Sequence, residues 1–143
     1  MQNFQILLAY DDPHMLEVIG WTLKDKGCGL MTVQSAEEAI KAIENHGFDA
    51  VLIDLAMNAA AGFSVLERTK AVSPETMVIL LVCEEADDVQ DELLYEADEF
   101  VLKPCGMGKL WKRVSGCLER VQLKRRLALA EAKIRKLSSV DQN

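Results

Sequence analysis

The sequence contains no run of about 18 apolar residues, the length needed to cross a bilayer. Its first residues, MQNFQILLAYDD, lack a basic segment and soon turn acidic, so no secretory signal is expected. The four cysteines, Cys28, Cys83, Cys105 and Cys117, form no C-x-x-C pair. That argues against a disulfide framework or a zinc site and for reduced thiols in a cytoplasmic protein. A basic excess is also missing: Lys plus Arg is 16 against 23 for Asp plus Glu, a net charge of −7. The chain is therefore not expected to bind nucleic acid over its whole surface. No G-x-G-x-x-G or P-loop follows the first apolar run, which disfavours a nucleotide-binding enzyme. His14 and His46 are isolated and make no catalytic or metal pair.

What is present suits one domain. The chain has 143 residues, and 50% of them are hydrophobic. Charge is unevenly spread. Residues 1–99 carry 5 basic and 20 acidic side chains, whereas residues 100–143 carry 11 basic and 3 acidic. With no Pro/Gly/Ser linker at the break, this reads as a change of role inside one fold.

Short apolar runs alternate with longer helical patterns. Ile6–Ala9, Leu30–Val33, Ala50–Ile53, Met77–Val82 and Phe100–Leu102 read as strands. Pro13 suits the first turn of a helix that Gly27 stops, with Met15, Val18, Ile19, Thr22 and Leu23 as its apolar stripe. Ser35-Ala36-Glu37-Glu38 is a capping box that starts a second helix, ended by Gly47. Further helices are expected over Phe63–Ala71, over Asp87–Ala97, and from Gly106 to about Leu137. Continuous apolar strands between helices indicate a parallel sheet covered on both faces, a doubly wound five-stranded α/β fold.

Reactive residues end four of the five strands. Asp11 and Asp12 follow the first, Asp54 the third, Cys83 the fourth and Lys103 the fifth. In an open parallel sheet these ends share one side, where such folds place their sites. Three carboxylates and one lysine are expected to converge in a shallow pocket. Clustered carboxylates repel one another, and a hard cation such as Mg²⁺ relieves the repulsion. A carboxylate beside Mg²⁺ and an ammonium can accept a phosphoryl group as an aspartyl phosphate. One acidic pair in so acidic a chain is by itself ordinary loop or helix cap; the joint pattern is what favours a site.

With these residues the sequence resembles the receiver domain of bacterial two-component response regulators, over about residues 4–120. The resemblance implies a flavodoxin-like fold of receiver type and a signalling protein, not an enzyme. It implies a phosphoacceptor at Asp54, a phosphoryl-binding lysine at Lys103 and a histidine kinase as donor. It implies Mg²⁺ held by the acidic residues, Asp54 and the backbone carbonyl of Ala56. It also implies an aromatic switch residue at Phe100 and a cis Lys103–Pro104 bond. Counted back from Pro13 without a gap, Tyr10 and Asp11 fill the two acidic positions and Asp12 is the variable residue. Counted from the acidic pair, Asp11 and Asp12 fill them at the cost of a deletion. The length of the first helix favours the ungapped count, with Asp11 the first metal ligand and Asp12 the second.

Beyond Tyr10, the pattern departs from the family at two further places. The switch hydroxyl that closes the fourth strand falls on Val82 or Cys83, and neither has one. The loop after the acceptor reads Met57-Asn58-Ala59-Ala60-Ala61-Gly62, without the usual Pro and Asp. A rival reading follows: a pseudo-receiver that serves as an interaction and dimerisation scaffold.

In the last helix, Leu110, Val114, Cys117 and Val121 recur at helical spacing and should pack on the sheet. Leu123, Leu127, Ala130, Ile134 and Leu137 then form a heptad seam, out of phase with the first stripe by one residue. The sheet cannot reach that far, so residues 1–121 are expected to be the receiver and 122–143 a helical extension, expected as a homodimeric coiled coil, with folding back, fraying or a partner protein as the alternatives. Lys124-Arg125-Arg126 reads as a solvated face, since no DNA-reading motif is present. Trp21 and Trp111 are expected in the core or an interface.

Overall fold

The computed structural model describes residues 3–54, 59–83, 96–103 and 106–141. Within them the chain runs β1 (Gln5–Ala9), α1 (Pro13–Asp25), β2 (Gly29–Val33), α2 (Ala36–Asn45) and β3 (Ala50–Asp54). It continues through α3 (Ala59–Val72), β4 (Met77–Cys83), β5 (Glu99–Lys103) and the long α4 (Met107–Asp141). The five strands form one parallel sheet in the order β2-β1-β3-β4-β5. This is the doubly wound α/β fold expected from the alternation of strands and helices. Residues 87–95 of the helix expected over 87–97, the Ala56 carbonyl, the Lys103–Pro104 bond and Cys105 lie outside the described residues.

Strand alternation divides the core. Ile6, Leu8, Leu52, Ile79 and Leu81 point to one face, where Leu16, Ile19 and Leu23 of α1 meet Leu110, Val114, Leu118 and Val121 of α4. Leu7, Ala9, Val51, Ile53, Val78, Leu80 and Val82 point to the other, under Ala39, Ala42 and Ile43 of α2 and Val65 and Leu66 of α3. Each fully buried Leu, Ile or Val contributes about 1.5–3 kcal/mol of burial.

Helix ends follow local chemistry. Asp12 caps α1, its Oδ1 accepting the His14 N–H at 3.0 Å, with Pro13 in the first turn. Gly27, at φ 87°, ends α1: the Gly27 N–H donates to Lys24 O and the Cys28 N–H to Leu23 O. Ser35 Oγ accepts the Glu38 N–H at 3.1 Å, so the capping box forms.

Two expectations need correction. The buried stripe of α1 is Leu16, Ile19, Gly20 and Leu23, turned from the expected face. Gly20 sets that face, because a Cβ there would meet Leu30 Cδ2 at 3.0 Å; α1 presses on β2 through a residue with no side chain. Second, α3 starts at Ala59, four residues before Phe63, because three alanines of high helix propensity extend it. Of the two tryptophans expected in the core or an interface, Trp111 packs against the core of the α1–α4 face, and Trp21 lies outside the core at 71% exposure.

α4 begins beside the carboxyl ends of the strands and runs back along the sheet to its opposite edge. There Arg125 pairs with Asp49 Oδ1, while Asp49 Oδ2 accepts the Gln5 N–H at 2.7 Å. Leu110, Val114, Cys117 and Val121 are all buried, as expected. Past Val121 the helix leaves the core, and residues 123–139 are exposed.

Candidate functional site

The carboxyl ends of β1, β3 and β5 bring together Tyr10, Asp54 and Lys103. Asp54 ends β3 and is 1% exposed. Lys103 ends β5, with β4 between the two strands, and its long side chain spans the gap. Lys103 Nζ donates to Asp54 Oδ1 at 2.6 Å. The same ammonium lies 3.3 Å from Tyr10 Oη and 5.1 Å from the centre of the tyrosine ring. Tyr10 follows β1 and is buried, so its ring walls the ion pair on the β1 side.

The electrostatics follow from this packing. Burial draws the Lys103 pKa down, but the hydrogen bond and charge of Asp54, with Tyr10, outweigh it. The net displacement is upward from 10.5, and the ammonium stays charged. Burial raises the Tyr10 phenol above its ordinary 10.0; the hydrogen bond from Lys103 acts against this and the charges of Asp54 and Asp12 add to it. A buried, uncharged phenol thus stands where the ungapped count puts the first acidic residue.

The expected convergence of three carboxylates is not what the described residues assemble. Among them, no group of three or more His, Cys, Asp or Glu side chains is arranged to hold a metal ion. Asp12 is turned to the N-terminus of α1 as its cap, and Asp11 is exposed beside it. The carboxylate the structure seats beside Lys103 is Asp54, and Asp11 is exposed at the same strand-end edge. A site with one or two carboxylates is of the kind Mg²⁺ takes, since it keeps several waters.

The remaining expected residues are spread along the sheet edge. Val82 is buried in the core cluster beneath α2 and α3, and pairs across to Leu102. Cys83 pairs across to Lys103 in the β4–β5 ladder. Phe100, on β5, is 42% exposed. Of the seam residues, Leu123, Leu127, Ile134 and Leu137 are between 59% and 64% exposed, and Ala130 is exposed between them.

Tyr10 as a member of the site was readable only from the gapless count to Pro13. Asp49 and Arg125 carried no signal, because nothing in an isolated Asp before a strand marks a partner 76 residues later.

The response regulator receiver domain family matches residues 6–115. The chain belongs to this family. Alginate biosynthesis transcriptional regulatory protein AlgB of Pseudomonas putida is 29% identical over 133 residues; the match takes in 92% of this chain and 30% of that protein. This receiver thus spans under a third of the length of that relative. A CheY-like response regulator receiver domain from Methanospirillum hungatei superposes with a TM-score of 0.78 at 21% identity, covering 86% of this chain and 99% of that one. The receiver domain of a sensor histidine kinase from Pseudomonas aeruginosa, solved with a magnesium ion in its active site cleft, superposes with a TM-score of 0.73 at 21% identity. It covers 82% of this receiver and 99% of its own chain. The receiver fold is therefore common to all of them. Family members are signalling proteins of two-component systems. No described helix of this one is long and apolar enough to cross a membrane.

Proposed function

We propose that this receiver accepts a phosphoryl group on Asp54 from a histidine kinase and signals through protein contacts. The observation that carries the reading is the 2.6 Å contact from Lys103 Nζ to the buried Asp54 carboxylate at the strand ends. An Asp54 oxygen attacks the phosphorus of a phosphohistidine. The new P–O bond forms as the P–N bond breaks, and the imidazole leaves. Lys103 offers positive charge to the transferring oxygens. Asp11 and Asp54, with the Ala56 carbonyl, would hold Mg²⁺, which adds charge neutralisation when bound. Asp12 is left to its capping role and is at most an outer, water-mediated ligand.

A second reading is favoured by two specific features. Tyr10 replaces an acidic residue, and Val82 and Cys83 supply no hydroxyl for a switch that Phe100 would complete. A pseudo-receiver would keep the fold and the surfaces and dispense with phosphorylation. Intact mass after incubation with a small acyl-phosphate donor and Mg²⁺ separates the two. The first reading predicts a gain of one phosphoryl group that is absent in Asp54→Ala. An unmodified wild-type chain supports the scaffold.

The same proposal divides the chain into a receiver over 1–121 and a helical extension over 122–143 that forms a homodimer. Leu123, Leu127, Ala130, Ile134 and Leu137 supply its seam. In support, the four large residues would otherwise leave apolar surface in water along an isolated helical arm, which is marginal by itself. The AlgB relative is named a transcriptional regulator. A transcriptional output for this chain would have to come through a partner or further sequence, since no DNA-reading motif is present here.

A further inference from the structure

We infer that the outer edge of β2 and the adjoining face of α1 form a docking groove for an extended segment of a partner protein, which adds to the sheet as a further strand. The segment carries a large apolar residue, with a basic residue two positions to one side and an acidic residue two positions to the other.

The first support is the edge itself. β2 ends the sheet and, among the described residues, pairs only with β1. The Gly29 N–H donates to Phe4 O, and Val33 O accepts the Tyr10 N–H. Gly29, Met31 and Val33 therefore turn their backbone groups inward, and alternation points the N–H and C=O of Leu30 and Thr32 outward. Edges are ordinarily blunted by a charge, a proline or a bulge. Gly29–Val33 has no charge and no proline, and its register with β1 is unbroken. The opposite edge, β5, carries Glu99 and Lys103, both in ion pairs. Outward donors and acceptors on alternate residues are complementary to another extended backbone.

The second support is the cleft beside that edge. Leu30, Thr32 and Gln34 form one wall of a cleft of about 360 Å³, and α1 forms the other. At its floor α1 lies so close that a Cβ on Gly20 would meet Leu30 Cδ2 at 3.0 Å. Trp21 stands over this floor with its indole in water. An exposed indole above an apolar floor is a seat for an apolar side chain.

The third support is charge. Because α1 runs against the strands, Glu17 lines the cleft toward the carboxyl end of β2 and Lys24 toward its amino end. Neither forms an ion pair with another described residue. Asp25 lies beyond Trp21, outside the cleft. Glu17 and Lys24 are about 10 Å apart along the helix. Side chains four residues apart on one face of a strand are about 13 Å apart, so long side chains close the difference. A basic residue facing Glu17, an apolar one at Trp21 and an acidic one facing Lys24 then fall at alternate positions of a strand. A helical partner would turn the middle residue away and leave the Leu30 and Thr32 backbone groups unused.

The test probes the full chain with an array of short synthetic peptides. Each has a central Leu with Glu two positions to one side and Lys two to the other, in both orders, and a second set places the same residues at helical spacing. Retained peptides are titrated by isothermal calorimetry against wild type and variants whose fold is checked by circular dichroism. The alternating set should bind. Thr32→Pro removes one outward N–H and spares the β1–β2 ladder, and should weaken binding about 10-fold. Trp21→Ala should weaken it about 10-fold or more. Lys24→Glu should weaken peptides that carry Glu and recover binding when that Glu is exchanged for Lys. On the peptide side, N-methylation should abolish binding at one set of alternate residues and be tolerated at the other, a readout independent of any variant's stability. Retention of no peptide, retention of the helical set alone, or equal tolerance of N-methylation at every position overturns the inference.

Discussion

Lys103 reaches across β4 to place its ammonium 2.6 Å from Asp54, tying the ends of two strands that do not pair with each other. Asp54 is almost wholly buried, while the lysine side chain keeps 22% of its exposure. Breaking a buried pair from one side costs more than removing both charges. Lys103→Met should therefore destabilise the domain by about 1–3 kcal/mol, at the low end because the lysine is partly solvated. Asp54→Asn with Lys103→Met should recover most of that loss. Urea denaturation of the two variants at neutral pH measures both, and a double variant no more stable than the single one contradicts the pairing.

The same site predicts an alkaline limit to stability. Lys103 and Tyr10 both have folded-state pKa values raised above their ordinary 10.5 and 10.0. A raised value means that the folded state holds the proton more tightly than the unfolded chain. The contribution is complete below about pH 10 and is lost as pH rises through the folded values. Melting temperature should thus fall above about pH 10, and Tyr10→Phe combined with Lys103→Met should flatten that fall. An unchanged slope in the double variant would assign the alkaline loss to other groups.

Tyr10 occupies space that an acidic side chain could use to support a cation. Tyr10→Asp should tighten Mg²⁺ binding about 10-fold, the scale at which supporting residues act on a metal site. Isothermal titration calorimetry of Mg²⁺ into wild type and variant reads this directly. Equal affinities would mean that Tyr10 takes no part in setting metal affinity.

The fold was legible because its signals are local and redundant. Apolar runs such as Val78–Val82 announce buried parallel strands, and Pro13, Gly27 and Ser35 mark helix ends by their own backbone chemistry. Side-chain destinations were less legible. An Asp one residue before a helical Pro reads equally as a metal ligand or a cap, and the structure shows the cap bond. Gly20 was passed over in the stripe of α1 because hydrophobic periodicity gives no weight to a residue whose contribution is close approach to Leu30. Lys103 and Asp54 were both marked by their strand-end positions. Their union with Tyr10 depends on strand order across the sheet, which no single segment encodes.

The central claim is that Asp54 is the residue that carries phosphate, and trapping it tests this most directly. The protein is incubated with a small acyl-phosphate donor and Mg²⁺, then reduced with borohydride, which converts an aspartyl phosphate to homoserine. Peptide mapping then locates the product. The account predicts homoserine at position 54 and nowhere else, with the signal lost in Asp54→Asn and reduced in Lys103→Met. Homoserine at position 11 or 12, or none at any position, would contradict it.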